Sequence, residues 1–167
     1  GATIEPVDYP VDMEQLIDSF ATIMLTDLSM VVAPAIANGR EDEITPALAK
    51  WVGQSSSLPI SSYPTAIKTI EWHRHKFQEF LEPFDLLITP TMAVPAFPIN
   101  GFPATINGQP VDRRWGYNPF CFQMNITGNP AASIPCGFTL EGLPIGLQII
   151  GHHNGEAKIL QASAAFE

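Results

Sequence analysis

Side chains able to do chemistry are sparse in this chain of 167 residues, and their spacing is more informative than their number. Ser55-Ser56-Ser57 is the most tempting run. A serine nucleophile needs a base within hydrogen-bond reach and a pair of donors for the oxyanion. Neither is visible beside these three, which fall between two helical patterns, where serines cap and link. His73 and His75 flank Arg74, and residues two apart on a helix point to different faces. His152 and His153 are adjacent, so neither pair has the spacing of metal ligands. Solvated or capping histidines are expected, with no metal and no organic cofactor. Glycine-rich phosphate loops, a Walker lysine and a dinucleotide fingerprint are all missing from the sequence. The best binding candidate runs from Arg113 and Arg114 through Trp115, Tyr117, Asn118 and Phe120 to Phe122. Pocket walls are mostly apolar, with a few polar groups for orientation, and Trp115, Asn118 and Phe122 supply both. The competing reading is that these aromatics are simply core.

Net charge is −9, from 17 acidic and 8 basic residues. Nucleic-acid binding needs clustered Lys and Arg to neutralise phosphates, so that class is excluded, and an anionic membrane surface is disfavoured too. No run approaches the length of a membrane span and no signal peptide is recognised. The chain is 46% hydrophobic and only 15% charged, which implies surface meant to be covered by something else. A truncated piece of a larger domain would look like this, and so would an obligate subunit or a homo-oligomer. If it folds alone it buries about 70% of its unfolded surface. Cys121 and Cys136 are too few for a disulfide framework and sit among apolar neighbours, so buried free thiols and a cytoplasmic home are expected.

The elements that must position these groups read as follows. Residues 3–9 alternate as a strand would. Asp12 is an N-cap with Gln15 as capping-box partner, opening a helix that Pro34 should end near Val32 or Ala33. Thr45-Pro46 opens a second helix closed by Gly53. A third and longer one starts at Ser61 or Ser62 and runs to Leu81. Residues 86–89 form a short apolar strand expected inside the sheet. A Pro- and Gly-rich loop then spans residues 92–119, with a type I′ hairpin turn at Asn107-Gly108. Residues 131–138 and 145–150 are apolar strands in neighbouring positions, expected to be buried on both faces. Gly128, Gly137, Gly146 and Gly151 should mark positive φ or close backbone approach at strand ends. The tail from Glu156 is a helix with Ile159, Leu160 and Ala164 as its inner face.

Two segments carry a family resemblance. Asn125-Ile-Thr-Gly128-Asn129-Pro130-Ala-Ala-Ser-Ile-Pro135-Cys136-Gly137, followed by Gly142-Leu-Pro144-Ile-Gly146-Leu-Gln148-Ile-Ile-Gly151, resembles the C-terminal part of the amidase signature family. Phe84-Asp85-Leu-Leu-Ile-Thr89-Pro90-Thr91 is similar to that family's D-x-L-L-x-P-T segment. The resemblance is specific for residues 84–91 and 122–167 and loose elsewhere. It implies an α/β class, part of the amidase signature fold with a mixed β-sheet flanked by helices. The whole chain, residues 1–167, would be the C-terminal portion of such a domain, with the catalytic N-terminal portion absent. The start at Gly1 rather than Met agrees with a cut inside a longer polypeptide.

The reaction implied is hydrolysis of a small carboxamide to carboxylate plus ammonia or amine by a Ser–cis-Ser–Lys triad lying outside this chain. Gln54-Ser55-Ser56-Ser57-Leu58 does not match the family's Gly-Ser-Ser-Gly-Gly loop, so the chain alone is expected to be inactive. The implied partner is the missing N-terminal portion. In several members the approach to the N-x-x-G motif lines part of the substrate pocket. Some amidotransferase A subunits have an acidic residue near the position of Asn118; a neutral Asn fits an uncharged amide. The alternatives are a protein like the amidotransferase A subunits and a non-catalytic binding or scaffold module derived from an amidase.

Overall fold

Apolar residues at helical spacing dominate the first part of the chain, and alternating strands joined by tight turns dominate the last. The computed structural model describes residues 1–99, 101–113 and 115–166, without the side chain of Ser56. It divides into two units, Gly1–Trp72 and His73–Glu167, and one helix runs through the boundary.

The first unit is helical. Helix α1 spans Met13–Ala37, and Asp12 caps it by accepting a 3.0 Å bond from the Gln15 backbone N–H. Pro34 lies inside the helix rather than ending it. It falls in the last turn, where losing one N–H removes a single bond, and Gly39 at φ +71° makes the actual stop. At 25 residues α1 is long and apolar enough to cross a membrane by length and composition alone, which corrects the expectation that no run reaches that length. Its buried side carries Leu16, Ile17, Ala21, Leu25 and Val32, while Glu14, Asp18 and Asp27 are exposed. Helix α2, Pro46–Gly53, opens on Thr45 and leads into a 3-10 turn, Gln54–Ser57. Helix α3, Ser62–Leu81, begins in this unit, where Tyr63 donates to Asp27. Residues 3–9 form no strand. A strand needs a ladder partner and residues 3–9 find none; Pro6 within the run also removes a donor.

The second unit is built on a three-stranded sheet in the order β1-β5-β4. Strand β1 is Leu87–Pro90, β4 is Ala131–Phe138 and β5 is Pro144–Ile150. All these pairings are antiparallel, and the order puts β1 at an edge of these three strands instead of an internal place. The hairpin at Asn107-Gly108 forms as expected, joining β2, Thr105–Ile106, to β3, Gln109–Pro110, with φ of +49° and +76° at the turn.

Period-2 alternation sorts the sheet into two faces. Ile134 and Ile149 pack with Ile159 of helix α5, Glu156–Phe166, and with Ala132, Leu147 and Ala162 around them. Leu160 and Ala164 are exposed, so the inner face of α5 is formed by Ile159 and Ala162 instead. The other face presents Thr89, Gln148 and Ser133 in one cross-strand row. The strands are not buried on both faces: most of β4 is exposed, because α5 covers only part of one side. Cys136 is exposed for the same reason, contrary to expectation, whereas Cys121 is half-buried.

A hydrogen-bonded seam closes the unit around the end of α3. Asn129, only 6% exposed, donates to the Gly151 carbonyl and accepts from Gln78. Arg74 donates to the Ile126 carbonyl. His73 is buried rather than solvated, and desolvation lowers its pKa to about 4. His75 is exposed beside Glu79, while His152 and His153 bond the Phe84 and Thr127 carbonyls.

Candidate active-site wall

Pro119 at the first helical position and Gly128 at φ +72° bound a helix in a stretch to which the sequence reading assigns no element. This is α4, Pro119–Thr127. Its apolar residues Phe122, Met124 and Ile126 are buried. The Pro-rich run before it masks so short a helix; the Pro119–Gly128 spacing is the signal that could have found it.

Asn118 is the N-cap of α4, but its side chain makes no capping bond. Its Oδ1 is buried and has no hydrogen-bond partner among the described residues. The rings of Trp115 and Phe122 stand either side of it in sequence and meet each other, with centroids 6.5 Å apart. Trp115 is half-buried, and Phe122 is buried at 3% exposure. The structure therefore brings Trp115 and Phe122 together and places Asn118 at the helix N-terminus between them in sequence. Arg114 lies outside the described residues. Arg113 sits over the Phe102 ring at 5.1 Å, and Phe97, Phe102 and Tyr117 make an edge-to-face trio. This trio pins the long loop against the approach to α4.

Beneath α4 lies the polar row of the sheet. Gln148, 5% exposed, donates from Nε2 to Thr89 Oγ1 and to the Phe120 carbonyl, both at 3.1 Å. Cys121 donates from Sγ to the Thr91 carbonyl at 2.9 Å, and burial raises its thiol pKa. Thr91 and Ser133 share a 2.7 Å hydroxyl bond. That bond is possible because position 146 has no side chain: a Cβ there would lie 2.7 Å from Thr91 Oγ1 and 2.8 Å from Ser133 Oγ. Sequence reasoning does not group Thr89, Thr91, Ser133 and Gln148. Their one signal is an isolated polar residue within an otherwise apolar run.

Between α2 and α3, the described side chains of Ser55 and Ser57 form no reactive constellation. Ser55 donates to the Val52 carbonyl and Ser57 to the Gln54 carbonyl, the bonds of a helix end. The side chain of Ser56 lies outside the described residues. No cluster of three metal-ligating side chains occurs among the described residues.

The family model described as Amidase matches residues 1–160. The chain belongs to the amidase signature family. It is 42% identical over 113 residues to the glutamyl-tRNA(Gln) amidotransferase A subunit of Alkaliphilus metalliredigens, covering 68% of this chain and 22% of that protein. It is 36% identical over 89 residues to an acylamidase of Rhodococcus erythropolis, covering 53% of this chain and 19% of the relative. Among solved structures, a bacterial aryl acylamidase of the amidase signature family aligns at a TM-score of 0.79 and 25% identity, over 95% of this chain and 34% of that one. The fold is thus that of the family, α/β with the helices and antiparallel strands described above. The chain spans about a fifth of the length of the curated relatives it matches.

Proposed function

We propose that this amidase-family chain is the C-terminal portion of an enzyme that hydrolyses a small uncharged carboxamide to a carboxylate and ammonia or an amine. The observation that carries the reading is Asn118, a neutral amide with a buried, unpartnered Oδ1, flanked in sequence by the Trp115 and Phe122 rings that meet each other. An unpaired buried oxygen is costly, and a substrate amide N–H would relieve it once the surrounding side chains move to admit it. Trp115 supplies the apolar wall, Phe122 backs it, and no ionised side chain is needed to meet the ligand.

In this reading the triad lies outside residues 1–167. A serine Oγ attacks the amide carbon, the leaving nitrogen takes a proton relayed through the second serine and lysine, and amine departs from an acyl-enzyme. Water then adds to the acyl carbon, releasing the acid and restoring the serine. The reaction needs neither metal nor organic cofactor. The chain alone is inactive, its partner is the N-terminal portion of the same polypeptide, and its two free thiols favour a cytoplasmic setting. The acidic balance argues against nucleic acid and against an anionic membrane surface as partners, and the exposed apolar residues of β4 and β5 leave a homo-oligomer open.

A second reading has an observation of its own: the relative from A. metalliredigens is named as an amidotransferase A subunit. One experiment separates them. The intact natural polypeptide is sized and assayed for ammonia release from neutral carboxamides. Turnover by a polypeptide of several hundred residues, lost in the isolated chain, supports the amidase. Turnover that requires partner subunits and a charged tRNA replaces it with the amidotransferase. An inert natural polypeptide of about this length leaves a binding or scaffold module.

A further inference from the structure

We propose that Gln148 is a positioning residue, holding the first turn of α4, and with it Asn118 and Phe122, at a fixed height over the sheet. This rests on the amidase reading for its consequence, though not for its geometry. Strand β5 is central, laddered to β1 on one side and to β4 on the other, and Gln148 is paired with Thr89 and Ser133 in that ladder. Its side chain leaves the sheet towards α4 and is almost wholly buried. A primary amide has two N–H donors. Nε2 directs them to Thr89 Oγ1 on β1 and to the carbonyl of Phe120 in the first turn of α4.

The Phe120 carbonyl does not need Gln148 to be satisfied. A carbonyl at the start of a helix already accepts the N–H four residues on. The bond from Gln148 is therefore additional, and its effect is to fix where the turn sits. Cys121 repeats the tie from the same turn, reaching the Thr91 carbonyl just beyond β1. Two successive residues of α4 are thus fastened to the neighbouring strand region, one through its carbonyl and one through its side chain. Asn118 lies two residues before the Phe120 anchor and Phe122 two after it. A shift of that turn moves both. Thr89 is the other half of the device, because its hydroxyl keeps the Gln148 amide turned towards the helix.

The test uses the full-length enzyme and neutral carboxamides. Gln148→Met keeps the length of the side chain and removes both donors. By letting Asn118 and Phe122 shift, it is expected to raise KM about tenfold, with kcat within about twofold of wild type. Thr89→Val should raise KM in the same direction, and Thr89→Ser, which keeps the hydroxyl, should restore it. A merely structural role would lower thermal stability in both variants without that KM-specific, hydroxyl-dependent pattern. Amide hydrogen exchange supplies a readout free of activity: the N–H groups of residues 121–124 should exchange faster in Gln148→Met. Unchanged KM with unchanged exchange overturns the proposal, as does a fall in kcat alone. If Gln148→Met does not fold, the Thr89→Val and Thr89→Ser pair decides by the same criteria. A wild-type enzyme that releases no ammonia refutes the amidase reading, while the exchange comparison still decides whether Gln148 holds α4.

Discussion

The two faces of the β1-β5-β4 sheet are made from the same three strands and do different work. One face is aliphatic: Ile134 and Ile149 meet Ile159 of α5, and what holds it is area removed from water. The other carries Thr89, Gln148, Ser133 and, over Gly146, Thr91, whose bonds have defined length and direction, beside the buried Ile150. Hydrophobic burial tolerates small displacements because it is non-directional; an amide with two fixed acceptors does not. The difference is that the polar row, besides any share in stability, places α4.

The contrast can be broken most forcefully on the aliphatic side. Ile149→Ala should cost about 2–5 kcal/mol, the usual range for a buried aliphatic truncation, measured as a lowered denaturation midpoint with KM of the folded fraction unchanged. Next comes Gly146→Val on the polar face. Its β-carbon would meet both hydroxyls of the Thr91–Ser133 pair, so a cost of about 1–3 kcal/mol is expected together with a raised KM. Stability lost without any change in KM would show that this face positions nothing.

A third variant belongs to neither face and calibrates both. His73 is buried with its pKa lowered from 6.5 to about 4, so folding favours its neutral form. The stability it contributes is present above pH 6.5 and is lost as pH falls from there towards 4. The wild type minus His73→Gln difference in unfolding free energy should shrink across that window. A difference flat with pH would mean the imidazole is not held neutral. The smallest effect is expected at the Lys158–Asp85 pair that joins the start of α5 to the approach to β1. Both partners are exposed, so Asp85→Asn should leave the melting temperature within experimental error even though the bond to Lys158 lowers the Asp85 pKa.

Sequence patterns are good guides wherever a single local rule operates. Asp12, Thr45-Pro46 and Asn107-Gly108 each announce a cap or a turn, and each is found there. The Gly128, Gly137 and Gly146 positions are legible because only glycine meets a left-handed φ or a vanishing Cβ space. Rules that depend on partners are less reliable. Residues 3–9 alternate but join no strand ladder, and Pro34 reads as a terminator although its place in a last turn makes it harmless. Leu160 and Ala164 look like an inner helical face until Ile159 and Ala162 are seen to take it. At the candidate site, Trp115, Asn118 and Phe122 are visible as residue types. The row that fastens them is not, because a polar residue within an apolar strand has no meaning until its cross-strand neighbours are known.

One small irregularity bears on how the chain behaves in solution. The register of β4 against β5 slips between Pro135 and Gly137, leaving Cys136 as an extra residue, and Gly137 takes φ +145° there. Past that bulge the alternation inverts, so Phe138 points to the opposite side from the one strict counting would give it. The bulged strand is an outer one, as is β1, and each carries a proline, Pro135 and Pro90. Flat outer strands recruit other chains into intermolecular sheets; a kink and a missing N–H donor prevent the ladder from continuing. In the isolated chain, these two prolines and one bulge interrupt both outer strands of the described sheet, which disfavours fibrillar self-assembly.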